Sequence, residues 1–166
     1  MLRRSLAIAC ALVALLVSPA FAAKDALLDH LAGSWVLTGT IGKEATTHDV
    51  KAEWVLNDQY LRLSEISREK DAAGKPQYAA EVLLAYDPAK KHYVCFWFDN
   101  TVVAATTDGG SATRDGDKLP FVFKSASGDF FNTMTYDAKA GSWTWAMDGE
   151  DKGVRQPFAR LTLKRP

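Results

Sequence analysis

The stretch LLAYDPAKKHYVCFWFDN (83–100) decides the fold. An apolar segment runs to Tyr86, and Asp87-Pro88 interrupts it. An aspartate suits that place because its carboxylate can accept backbone N–H groups two residues on, and the proline fixes φ for a turn. An aromatic segment then returns from Tyr93. Alternate residues of a strand point to opposite faces, so Tyr93, Cys95, Trp97 and Asp99 share one face and His92, Val94, Phe96 and Phe98 the other. Both faces are largely apolar, and neither is a plain solvent face. The polar tips on the first set favour Cys95, Trp97 and Asp99 as the inward-looking residues. Strand, tight turn and returning strand make an antiparallel hairpin.

The same device recurs. Tyr136-Asp137 is followed seven residues on by Trp143, as Tyr86-Asp87 is by Tyr93. Outward from these two hairpins, strands are predicted over 34–41, 49–56, 60–67, 78–86, 93–99, 102–107, 111–113, 119–124, 130–136, 142–147 and 155–163, nearly all joined by hairpin-length turns. One short N-terminal helix is predicted over 24–31, from the helical spacing of Leu27, Leu28 and Leu31, with Gly33 ending it. The fold class is therefore all-β, an antiparallel barrel of about ten strands with a short N-terminal helix. A meander this long has to curl, and closure removes its exposed edges.

Residues 1–22 read as a signal peptide. Arg3 and Arg4 precede an uncharged apolar run from Leu6 to Val17, and Ala20-Phe21-Ala22 fits a small-x-small cleavage site. The run is about a dozen residues, short of the roughly 20 needed to span a bilayer. Cys10 sits inside the run and is discarded with it. This leaves residues 23–166 as a single barrel domain, periplasmic or secreted, with no membrane attachment after cleavage. Without Arg3 and Arg4 the domain has 18 basic and 20 acidic residues, a net of about −2. That balance is no footprint for nucleic acid or an anionic membrane surface. Cys95 becomes the only cysteine, so no internal disulfide forms, and its aromatic strand predicts burial. Nothing in the pattern signals an oligomeric state.

The same alternation gives candidate lining residues. Trp54 shares a face with Ala52 and Leu56; Leu61, Leu63 and Glu65 share another; Trp143, Trp145 and Met147 a third. Trp and Met make a soft wall for a flat or apolar ligand. Two leucines beside Glu65 draw that carboxylate toward an apolar interior. The candidate ligand-binding set is Trp54, Leu63, Glu65, Cys95, Trp97, Asp99 and Trp145.

Gly33-Ser34-Trp35, just after the helix, resembles the first motif of the lipocalin and calycin superfamily. The resemblance implies that Trp35 closes the barrel base under a basic side chain of the last strand, with Arg160 as the match and Arg155 as the second choice. A longer likeness, through AEWVLNDQYL (52–61) and LLAYDPAKKHYVCFWFDN (83–100), resembles the bacterial family called domain of unknown function 1579. It implies a lipocalin-like barrel, often exported, with no assigned activity. The related nitrobindins hold haem through a histidine late in the chain; here no histidine follows His92, which argues against that route.

No catalytic residue, metal ligand or cofactor motif is assigned. Zinc-ligand clusters, a calcium loop, Gly-x-Ser-x-Gly and the P-loop are all missing from the sequence. The leading expectation is a barrel that binds a small apolar or aromatic molecule. Its rivals are a barrel enzyme, an isomerase or hydrolase using Asp99 and Glu65 as acid and base, and a cavity-free envelope protein that works through its outer surface.

Overall fold

The computed structural model describes residues 24–101 and 109–166. The proposed signal segment and the strand predicted over 102–107 lie outside them. Ten strands form a closed barrel in which each pairs antiparallel with its sequence neighbour and the last returns to the first. They are β1 Gly33–Ile41, β2 Glu44–Val55, β3 Tyr60–Ser67, β4 Ala79–Asp87, β5 His92–Asp99, β6 Gly110–Ala112, β7 Lys118–Phe123, β8 Phe130–Asp137, β9 Ser142–Asp151 and β10 Val154–Lys164. No described helix is long and apolar enough to cross a membrane.

The two Asp hairpins form as their chemistry dictates. Asp87 Oδ1 accepts from the N–H of Ala89 (2.9 Å) and Lys90 (3.2 Å); Asp137 Oδ1 accepts from Lys139 (2.9 Å) and Ala140 (3.0 Å). Both turns close on a left-handed residue, Lys91 (φ 54°) in the first and Gly141 (φ 59°) in the second. At the seam between β1 and β10, Gly39 pairs with Leu161. A Cβ on Gly39 would stand 2.1 Å from the Arg160 carbonyl oxygen, so only glycine lets the two strands meet there.

One face of every strand builds the interior. Leu37, Val50, Leu61, Leu63, Val82, Leu84, Cys95, Leu119, Phe121, Met134, Trp143, Trp145, Leu161 and Leu163 are all buried in one cluster. The Tyr93–Cys95–Trp97–Asp99 face of β5 points into it, Tyr93 and Cys95 fully covered and Trp97 packed against it.

One end of the barrel is plugged. The chain before β1 makes a single helical turn, α1 Ala26–Asp29, shorter than the two turns the leucine spacing predicts. Leu27, Leu28 and Leu31 enter the core. Asp25 caps the turn, accepting from Leu27 and Leu28 N–H (3.1 and 2.9 Å), and the Tyr93 hydroxyl donates to its other oxygen at 2.9 Å. The Trp35 indole donates to the Leu31 carbonyl at 2.6 Å.

The basic side chain over Trp35 is Arg165, its guanidinium 3.7 Å from the ring centre, and not Arg160 or Arg155. Register explains the correction. Val36 pairs with Lys164, so the residue opposite Trp35 is Arg165. Arg160 pairs with Thr40, between the inward Ala159 and Leu161, and its guanidinium turns to the Met147 and Ala159 carbonyls (2.7 Å each) and to Asp148. Arg155 lies over Phe131. Arg165 also donates to the Ala32 carbonyl at 2.9 Å, tying the plug to the last strand.

Candidate functional site

Away from the plug, the inward faces change character. On β2 the inward series Ala52, Val50 ends in His48, and on β3 the series Leu61, Leu63 ends in Glu65 and Ser67. The hydrophobic run is thus replaced by a buried polar group towards the other end of the barrel. His48 is 1% and Glu65 3% exposed. His48 Nδ1 and Glu65 Oε1 are joined by a short hydrogen bond. His48 Nε2 and Thr46 Oγ1 share another at 2.6 Å, and Thr46 donates to Glu69 Oε2 at 3.2 Å.

A chain of contacts runs inward from this pair. The Tyr78 ring stacks on the His48 ring, centres 5.4 Å apart. The Tyr78 oxygen accepts the Trp97 indole N–H at 2.9 Å. Trp97 meets Trp145 edge-on at 5.9 Å. Beside Trp145, the neighbouring β8 carries Met134, its direct partner, and then Asn132, partner of Met147, both facing inward. Residues from β2, β3, β5, β8 and β9, with Tyr78 just before β4, therefore line the unplugged half of the barrel. Tyr78, Trp97 and Asp99 are half-buried there, while His48, Glu65, Asn132 and Trp145 are enclosed.

The electrostatics follow from burial. Desolvation first, then the charges of Glu65 and Asp99, push the Tyr78 phenol well above its ordinary value, against the opposing hydrogen bond from Trp97. Tyr78 is a neutral hydroxyl at any physiological pH. Burial pulls the Glu69 carboxyl upward, but N–H groups of Glu69 itself and Thr47, the Thr46 hydroxyl and His48 outweigh it and leave the group below the usual glutamate value. Burial alone pushes the Cys95 thiol far up, so it is no nucleophile.

Of the predicted lining set, Glu65, Trp97 and Trp145 fall in this site. Leu63 and Cys95 are packed core at 0% exposure. Trp54 belongs to the plug, where its indole donates to Asp29 at 2.8 Å. Asp99 stands at the rim, and its carboxylate accepts from the Thr101 N–H at 2.8 Å, a turn role. Glu65 and Asp99 both pair across to Ala80, so β4 separates them by two strand spacings, about 9–10 Å. Their carboxylates hold different partners, His48 for Glu65 and the Thr101 N–H for Asp99. His48, Tyr78 and Asn132 are the residues that sequence reasoning missed. Alternation was the available signal: His48 lies in phase with Val50 and Asn132 with Met134.

No group of three or more His, Cys, Asp or Glu side chains among the described residues is placed to hold a metal. A shallow open groove of about 380 Å³ runs on the outer wall past β6, lined by His92, Pro120, Val122 and Phe131 among others.

The family model for "Protein of unknown function (DUF1579)" matches residues 22–140. The chain belongs to this family. The match takes in β1 to β8, and with them His48, Glu65, Tyr78, Trp97 and Asn132; β9, with Trp145, and β10 lie beyond it. A search of the curated proteins found no match. Membership in DUF1579 assigns no reaction.

Proposed function

We propose that this barrel binds a small, flat, largely apolar molecule inside its unplugged end, against Trp97 and Trp145. The observation that carries the reading is the half-buried Trp97, held edge-on to Trp145 by its hydrogen bond to Tyr78. Such a rigid aromatic wall offers large contact area at little entropic cost. A ten-strand barrel is also wider than the eight-strand size that side chains alone can fill. The test is titration with fatty acids and neutral fluorescent aromatic probes, read by energy transfer from tryptophan. Saturable binding of one probe per chain supports the reading, and none with any probe rejects it.

The lipocalin-like character and the export of the protein belong to the same proposal. Supporting the first is the Gly33-Ser34-Trp35 start with Arg165 over the indole. Supporting the second is the basic, apolar, small-x-small order of residues 1–22. N-terminal sequencing of the exported protein should begin at Ala23; retention of Met1 would reject export by this signal.

The enzyme reading moves to a different constellation. Thr46, His48 and Glu65 stand in the hydroxyl–imidazole–carboxylate order of a nucleophilic triad. Glu69 weighs against it, because Thr46 already donates its hydroxyl to that carboxylate at 3.2 Å, and not to the His48 imidazole as a nucleophile would. Covalent labelling of Thr46 by a fluorophosphonate would revive the enzyme. The outer-surface reading has less support: the exposed large apolar side chains, Leu56, Ile66, Tyr86, Phe98, Val154 and Phe158, are distributed over five strands and their ends.

A further inference from the structure

Four inward side chains carry polar atoms with no hydrogen-bond partner among the described residues: Glu65 Oε2, both amide atoms of Asn132, and the indole nitrogens of Trp143 and Trp145. None of these residues is more than 3% exposed. A buried polar group left unpaired suffers its full desolvation penalty, so each such group in a folded protein calls for a partner. Asn132 is the sharpest case. Its two neighbours on the inward face of β8 are Phe130 and Met134, and its cross-strand partners are Phe121 and Met147. None of those four side chains has a strong donor or acceptor to give it. A leucine of similar shape would fit this apolar setting without penalty.

Resting on the binding reading above, we propose that Asn132 is the specificity-determining residue of the site. It reads a neutral edge that both donates and accepts, the edge of a primary amide or a lactam, on an aromatic ligand. The donor and acceptor count selects that class. The Asn132 amide offers one acceptor oxygen and two N–H groups, so an amide edge pairs with it in two hydrogen bonds. The Trp145 indole, on the adjoining strand, adds a donor for the ligand carbonyl. A carboxylate can only accept, and it would bring a second negative charge into the barrel that already encloses Glu65. A purely apolar ligand would leave the amide as it stands.

The test is a matched series on one ring system, naphthalene, 2-naphthamide, N,N-dimethyl-2-naphthamide and 2-naphthoate, measured by equilibrium dialysis against the intact domain at pH 7. The expected result is 2-naphthamide at least tenfold tighter than naphthalene, with 2-naphthoate and the dimethyl amide losing that gain. Asn132→Leu should bring the amide down to the affinity of naphthalene while naphthalene itself holds or improves, with circular dichroism confirming the barrel. If that variant fails to fold, the dimethyl amide, which keeps the carbonyl and loses both N–H groups, makes the same test on the natural protein. Equal affinity across the series would overturn the role of Asn132 and leave the binding reading standing. Binding by none of the four, nor by the apolar probes, would sink the binding reading itself and this inference with it.

Discussion

Replacing Glu65 by leucine should be among the most damaging single changes in the barrel. The carboxylate is enclosed, and it takes the Nδ1–H of a histidine that is itself 1% exposed. Glu65→Leu leaves that N–H with no acceptor in a dry site. Breaking a buried pair from one side costs about 3–5 kcal/mol. A domain of this size loses roughly 2 kcal/mol per molar urea, so the unfolding midpoint should fall by about 1.5–2.5 M. Glu65→Gln keeps an acceptor oxygen and should cost less, about 1–2 kcal/mol. The double variant His48→Phe with Glu65→Leu removes both polar partners and keeps a ring for Tyr78 to stack on. It should regain most of the loss, since apolar replacement of a buried pair is often neutral or better. The assay is urea unfolding followed by tryptophan fluorescence, run as a double-mutant cycle. A single-variant cost below about 1 kcal/mol, or a double variant that merely adds the two single losses, would refute the claim that these groups are buried and bonded to each other.

Three further outcomes follow from other parts of the fold. Arg165→Ala should lower stability by about 1–2 kcal/mol, through the lost cation–π contact and the freed Ala32 carbonyl, and Arg160→Ala should leave the Trp35 fluorescence environment unchanged; the reverse pattern would restore Arg160 as the plug residue. Burial and the bond to Asp25 push the Tyr93 phenol up to about 12, while Arg114 acts against them. A raised folded value favours the protonated form, so this stabilisation is whole below pH 10 and is lost as pH rises from 10 to 12; alkaline unfolding midpoints should show that slope in the natural protein and lack it in Tyr93→Phe. Lys91 holds the left-handed position that Gly141 fills in the sister turn, so Lys91→Gly should raise stability by about 0.5–1 kcal/mol in thermal melts, against the usual direction for a change to glycine; a loss would mean the turn carries no such strain.

What the sequence made legible is the part of the fold written in alternation and turn chemistry. The Asp87 and Asp137 hairpins, the inward face of β5 and the inward Glu65 beside two leucines could each be read because apolar residues mark the phase. His48 lies where that marking is weakest, one residue before the strand predicted over 49–56. Residues 44–48 read Glu-Ala-Thr-Thr-His, with no apolar phase, and only the tight turn after Ile41 extends β2 far enough to set His48 opposite Leu37. Tyr78 stands before β4 begins, and a backbone bond from Ser67 holds it in line. Arg165 lies past the last apolar residue of β10, and its position over Trp35 depends on a register that composition does not encode. Trp54 shows the opposite limit: its face was readable, but which end of the barrel it serves depends on Asp29 reaching back across the plug.

The most direct measurement of the central claim is the titration of a neutral naphthylamine probe into the natural domain, Trp97→Ala and Trp54→Phe, read by energy transfer from the remaining tryptophans. Binding against Trp97 and Trp145 predicts one saturable site per chain, weakened about tenfold or more, roughly 1.4 kcal/mol, by Trp97→Ala and untouched by Trp54→Phe at the plugged end. The absence of saturable binding, or equal affinity with and without the Trp97 ring, would contradict it.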